Sequence, residues 1–144
     1  MKTDQDHTCI VCGGEEPCSH DFDAIAWPKP KMIIYIAGPM RGYPRFNFDA
    51  FDAAEKDLKA KGHCVVSPAQ MDRDAGLDPD RLTEADVTPE FLCRCIKRDV
   101  NAILWADAIA LLPGWEKSTG AKAELVIARW AQKQIFSYPE MTPL

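Results

Sequence analysis

Ala106-Asp107-Ala108-Ile109-Ala110-Leu111-Leu112-Pro113-Gly114-Trp115-Glu116-Lys117-Ser118-Thr119-Gly120-Ala121-Lys122-Ala123-Glu124 contains, in succession, a strand, a break and a helix start. The apolar run from Ala108 to Leu112 has strand length, and Pro113-Gly114 interrupts it. Ser118 then stands where a helix N-cap belongs, and the helix carries Glu124 between Ala121 and Leu125. In an open α/β sheet, the loop after a strand and the helix N-terminus beside it hold small ligands. The free N–H groups and the helix dipole there favour an anion such as phosphate. Two readings of Glu124 stand side by side: a group acting on whatever the loop holds, or a solvated helix residue.

Outward from this stretch, the chain reads as alternating strands and helices. Met32 to Ala37 is an isoleucine-rich apolar run, as in a strand buried on both faces. Gly38-Pro39-Met40-Arg41-Gly42 follows it directly. Its glycines permit a sharp turn and close backbone approach, and Arg41 offers a forked cation to an anion, although many such loops only turn. Asn47 to Lys61 has helical spacing, with Phe48, Phe51, Ala54 and Leu58 on one face and Gly62 as its stop. His63 to Ser67 reads as a second strand, with His63 as a surface residue. Pro68 to Val87 shows no clean period and reads as a long acidic loop of the kind that forms lids.

Thr88-Pro89-Glu90 opens another helix, with a cap, a first-turn proline and an acid. Leu92, Cys95, Ile96, Val100 and Ile103 form its apolar face, and Asp99 sits among them. A carboxylate in that setting either functions or is paired with Arg98 or Lys97, because burying it bare is costly. The helix after Ser118 runs to Gln132, and Ile135, Phe136 and Tyr138 form a last strand before a tail from Pro139 to Leu144. The order β-α-β-loop-α-β-α-β predicts an α/β domain: a small Rossmann- or flavodoxin-like parallel sheet with helices on both faces. The first and third strands should be neighbours, so that Gly38–Gly42 and Pro113–Gly120 face each other across one crevice.

The first 31 residues form a separate Cys/His-rich arm and proline linker, ahead of an α/β domain over 32–144. Cys9, Cys12, Cys18 and His20 have the donor set and spacing of a small structural zinc knuckle, the alternative being a tail whose cysteines hold nothing. Trp27-Pro28-Lys29-Pro30-Lys31 is the linker. Six cysteines in all, read as cytoplasmic, are thiols or metal ligands rather than disulfides. A net charge of -5 over 144 residues excludes a nucleic-acid polymer as partner but not a small nucleotide. No apolar run reaches membrane-spanning length and no leader pattern is present, so a soluble cytoplasmic protein is expected.

Three elements together resemble the nucleoside 2-deoxyribosyltransferase family: Tyr35-Ile36-Ala37-Gly38-Pro39-Met40-Arg41-Gly42, Asp99 in the middle helix, and Ser118-x-Gly120-x-x-x-Glu124-x-x-x-Ala128. The resemblance spans about Met32 to Tyr138. It lies in the branch of 2'-deoxynucleoside 5'-monophosphate N-hydrolases and phage-encoded relatives. It implies that Glu124 is the nucleophile at the anomeric carbon, that Asp99 assists departure of the base, and that Tyr35 orients Glu124. It further implies that Gly38, Met40, Arg41, Gly42, Ser118 and Gly120 hold the substrate. Transferases of the family carry an aspartate six residues before the nucleophile. Here Ser118 stands there, as in the monophosphate hydrolases, where a serine and the loop arginine hold a 5'-phosphate.

The expected activity is hydrolysis of the N-glycosidic bond of a (deoxy)nucleoside 5'-monophosphate through a covalent glycosyl-Glu124 intermediate. It needs no catalytic cofactor, and the resemblance implies a homodimer or larger homo-oligomer. The alternatives are base exchange by a 2-deoxyribosyltransferase, or a nucleotide-binding sensor without activity.

Overall fold

The computed structural model describes residues 31–144. The expected zinc ligands Cys9, Cys12, Cys18 and His20 lie outside the described residues. Within them, no group of three or more His, Cys, Asp or Glu side chains could hold a metal ion. Cys64, Cys93 and Cys95 are free thiols. Among the described residues no helix is long and apolar enough to cross a membrane.

Five strands form one sheet in the order β2-β1-β3-β4-β5. They are β1 (Ile33–Ala37), β2 (Cys64–Val66), β3 (Ala108–Leu111), β4 (Gln134–Ser137) and β5 (Thr142–Pro143). The first four are parallel, and β5 pairs antiparallel with β4. Four helices accompany them: α1 (Phe48–Ala60), α2 (Pro68–Asp74), α3 (Pro89–Trp105) and α4 (Thr119–Trp130). Side chains of β1 alternate between two cores, as strand geometry requires. Ile34 and Ile36 pack with Phe48, Phe51 and Leu58 of α1. Tyr35 and Ala37 pack on the other face with Ile103 of α3 and Ala121, Leu125 and Ala128 of α4. The chain runs from β1 to β2 on one side and returns to β3 on the other. The β1/β3 boundary is therefore the point where strand order reverses and a crevice opens.

Three expectations are corrected. The long loop expected over Pro68 to Val87 begins instead with a helix, Pro68–Asp74. Pro68 occupies its first turn, and its inner side is Pro68, Ala69 and Asp72. A helix this short shows little period, and a buried aspartate makes its apolar side look polar. The sheet, expected to be parallel, gains an antiparallel edge from Thr142–Pro143 in the tail. On α3, of the five residues expected to form its apolar face, only Ile103 is buried. Leu92, Cys95, Ile96 and Val100 instead line a cavity.

The loop after β1 is strained. Arg45, Phe46 and Asn47 all have left-handed backbones, with φ of 52°, 51° and 60°. Such residues cost on the order of 1 kcal/mol or more each and cluster where structure is held for use. Asn47 Nδ2 donates to the Pro39 carbonyl at 2.7 Å, and Arg45 pairs with Asp80. The outcome is a buried Phe46 on the cavity wall.

Candidate active site

A cavity of about 620 Å³ opens at the C-terminal ends of β1 and β3. Gly38, Pro39, Met40 and Arg41 form one rim and Lys117, Ser118, Thr119 and Gly120 the facing one. Gly38 is required by close approach, because a Cβ there would meet Leu112 Cβ at 2.7 Å. Gly42 holds φ +80°, a conformation side chains resist. It turns the loop but is not part of the cavity wall. Ser118 caps α4 by accepting from the Ala121 N–H at 3.2 Å, which leaves its own hydroxyl proton free to donate into the cavity.

Glu124 is half-buried on the α4 wall, and the Tyr35 hydroxyl donates to its Oε1 at 3.0 Å. The pair joins β1 to α4 across 89 residues of sequence. Burial, and after it the charge of Asp99, push Glu124 up to about 8, against the lowering influence of the Tyr35 hydrogen bond and Arg98. Burial and the Glu124 charge also hold the Tyr35 phenol well above its ordinary value, so it stays a donor. Asp99 on α3 is raised by burial first, opposed by Arg98. Two carboxylates of one cavity thus hold protons more tightly than free acids do, the condition for dividing nucleophile and acid roles between them.

Arg98 connects this centre to α2. Its Nη1 donates to Asp72 Oδ1 at 2.7 Å, and its Nε to Asp99 Oδ1 at 2.9 Å. Asp72 is only 5% exposed and lies on the cavity wall. Neither its burial nor its part in the site was read from the sequence. The one available signal was a helix start at Ser67-Pro68 that would set Asp72 three residues from Ala69 on one face.

Of the residues singled out in the sequence, the structure gathers Glu124, Asp99, Gly38, Met40, Arg41, Ser118 and Gly120 on one cavity. Tyr35 reaches it through Glu124. Arg41 is not idle: its Nε donates to Glu84 Oε2 at 3.0 Å. Glu84 Oε1 accepts from the Gly42 N–H at 3.2 Å. Both side chains are more than half exposed, so parting the pair costs about 1 kcal/mol or less.

A family described as "Domain of unknown function (DUF4406)" matches residues 32–137. No curated protein matches the sequence. Among solved structures, a 2-deoxyribosyltransferase from the psychrotolerant bacterium Bacillus psychrosaccharolyticus is similar, with TM-score 0.53 and 25% identity over 73% of this chain and 70% of that one. A 2-deoxyribosyltransferase from Leishmania mexicana shares the fold at TM-score 0.50 and 19% identity, over 74% of this chain and 63% of that one. The chain therefore spans less than two thirds of the Leishmania enzyme's length.

Proposed function

The chain belongs to the DUF4406 family, and from that premise we propose that it is an enzyme cleaving the N-glycosidic bond of a (deoxy)nucleoside 5'-monophosphate. The observation that carries the reading is Glu124, raised to about 8 by burial and bonded by the Tyr35 hydroxyl on the wall of a ligand-sized cavity. Ionised Glu124 attacks the anomeric carbon while the bond to the base breaks, and the bond electrons leave with the base. A proton from the Asp99 carboxyl meets the departing base nitrogen. Water, giving a proton to the now ionised Asp99, then attacks the anomeric carbon. The C1'–O bond to Glu124 breaks with its electrons returning to the carboxylate, and sugar phosphate is released.

The phosphate is assigned to the rim. The Ser118 hydroxyl, the first N–H groups of α4, Lys117 and the Arg41 guanidinium converge there, and charge-assisted bonds are about twice as strong as neutral ones. A second reading is base exchange, supported by the similarity to the Bacillus 2-deoxyribosyltransferase. It differs only in whether a base or water resolves the intermediate. Assembly into a dimer or larger belongs to the proposal as well, supported by exposed Ile96, Leu104, Val126 and Trp130 on the helices.

The test is kcat/KM for release of free base from monophosphates and the matching nucleosides. Monophosphates should be cleaved far better. Arg41→Ala should erase most of that preference, and Ser118→Asp should tilt it toward nucleosides. Equal wild-type values would put the exchange reading first, and no base released from any substrate would end the glycosidic reading.

A further inference from the structure

Arg98 and Asp99 are adjacent on α3, where side chains ordinarily diverge around the helix. Here they meet. Arg98 Nε and Nη2 stand 2.9 and 2.8 Å from one and the same oxygen, Asp99 Oδ1. What turns the guanidinium back along its own helix is Asp72, 26 residues away on α2, whose Oδ1 takes Nη1 at 2.7 Å. Asp72 is almost wholly buried, and a buried carboxylate without its cation is strongly unfavourable. The guanidinium is therefore tethered from behind, whereas an exposed ion pair would let it swing. Among the described residues, Asp99 Oδ2 has no hydrogen-bond partner, while Asp99 lines the cavity.

We propose that Asp72 and Arg98 form a positioning clamp for Asp99: Asp72 fixes the guanidinium, the guanidinium saturates Oδ1, and Oδ2 is left as the oxygen that carries the proton to the departing base. This rests on the proposed glycosidic chemistry. Oδ1, accepting two N–H groups, is a poor site for a proton, so protonation is directed to Oδ2. In the step itself the C1'–N electron pair goes to the base and the Oδ2 proton joins the base nitrogen, leaving Asp99 ionised beside Arg98. The guanidinium thus also stabilises the charge that develops on Asp99. The groups facing Asp99 are Arg98 and Cys95 on its own helix, Asp72 on α2, Glu124 on α4 and Tyr35 on β1.

The experiment compares two substrates: an ordinary nucleotide, and a nucleotide of N7-methylated guanine, whose cationic base leaves as a neutral molecule without needing a proton. In Arg98→Met, kcat for the ordinary nucleotide should fall about 10²-fold, with KM little changed and the alkaline limb of the pH profile moved upward. The methylated substrate should lose less than about a tenth of that factor. Arg98→Lys, which keeps the charge but not the fork, should recover part of the loss. If Arg98→Met does not fold, Asp72→Asn/Arg98→Met removes the buried charge together with its partner and serves the same comparison. Equal losses on both substrates, or none on either, overturn the clamp. Carbon-13 aspartate NMR provides an arm independent of activity: the Asp99 carboxyl should titrate at higher pH in Arg98→Met than in wild type. Coincident titrations overturn the clamp. A wild type that releases neither base, with the titration shifted, fails the glycosidic reading and leaves the clamp standing.

Discussion

Glu124 on α4 and Asp99 on α3 line the same cavity, yet one is held by a neutral phenol and the other by a guanidinium. Burial raises both. On the α4 wall the Tyr35 hydrogen bond and the Arg98 charge oppose it without cancelling it, and Glu124 reaches about 8. On the α3 wall Arg98 opposes it directly. The contrast teaches that depth alone does not divide the work of two carboxylates. The neighbour matters as well: Arg98 favours the charged form of Asp99, while Glu124 keeps its proton to about pH 8. The reactive form, Glu124 ionised and Asp99 protonated, is therefore the less populated arrangement of the proton they share. Because the Asp99 charge raises Glu124, their titrations are coupled, and a bell-shaped pH profile reports the pair.

The comparison breaks most sharply at Glu124. Glu124→Gln keeps the shape and the Tyr35 hydrogen bond but cannot attack carbon. Turnover should fall by about 10³-fold or more with nucleotide binding retained. Wild-type-like base release would remove Glu124 from the nucleophile role.

The same substitution should stabilise the protein, with a sign that follows from burial. The value of about 8 lies above the ordinary 4.5, so the folded protein keeps a proton that the unfolded chain sheds. The stability tied to that proton is fully present below about pH 4.5 and lost as pH rises toward about 8. Glu124→Gln should match wild type near the acid end and exceed it at about pH 9 by on the order of a few kcal/mol. Denaturant midpoints at the two pH values measure this.

Tyr35→Phe sharpens the contrast from the other direction. It removes the hydroxyl that donates to Glu124, a bond that lowers the carboxyl's proton affinity. The acid limb of kcat/KM, where Glu124 ionises, should move to higher pH. Activity at neutral pH should drop by about 10-fold, at the lower end of the range for one positioned group. An unmoved acid limb would dissociate Tyr35 from the nucleophile.

A third carboxylate, Glu84 paired with Arg41 of the rim, shows what exposure does to the same kind of interaction. Its pair with Arg41 is open to water. Glu84→Gln should change stability by less than about 0.5 kcal/mol. It should lower KM for a monophosphate a few-fold by releasing Arg41, as steady-state kinetics would show. A large stability loss would place Glu84 among the structural residues instead.

By itself, the sequence determined the elements whose signals are local. Met32–Ala37 and Ala108–Leu112 are short apolar runs each stopped by a Gly/Pro pair, the pattern of a strand buried on both faces. Thr88 accepts from the Phe91 N–H and Ser118 from the Ala121 N–H, caps that a four-residue window reveals. Glu124 and Asp99 were visible as acids set among apolar helix positions. Tertiary structure alone decided the rest. That Pro68–Asp74 is a helix depends on Ala69 and Asp72 finding a buried place, not on a period of their own. That the apolar stripe of α3 faces a cavity rather than a core depends on what stands opposite it. The direction of Arg98 depends on a carboxylate 26 residues away, that of Arg41 on one 43 residues away, and the bond to Glu124 on a tyrosine 89 residues away. Propensity and capping act over a single turn of chain, whereas the proton affinity of a side chain is set by charges and desolvation through space, and only the packed fold decides which of them are near.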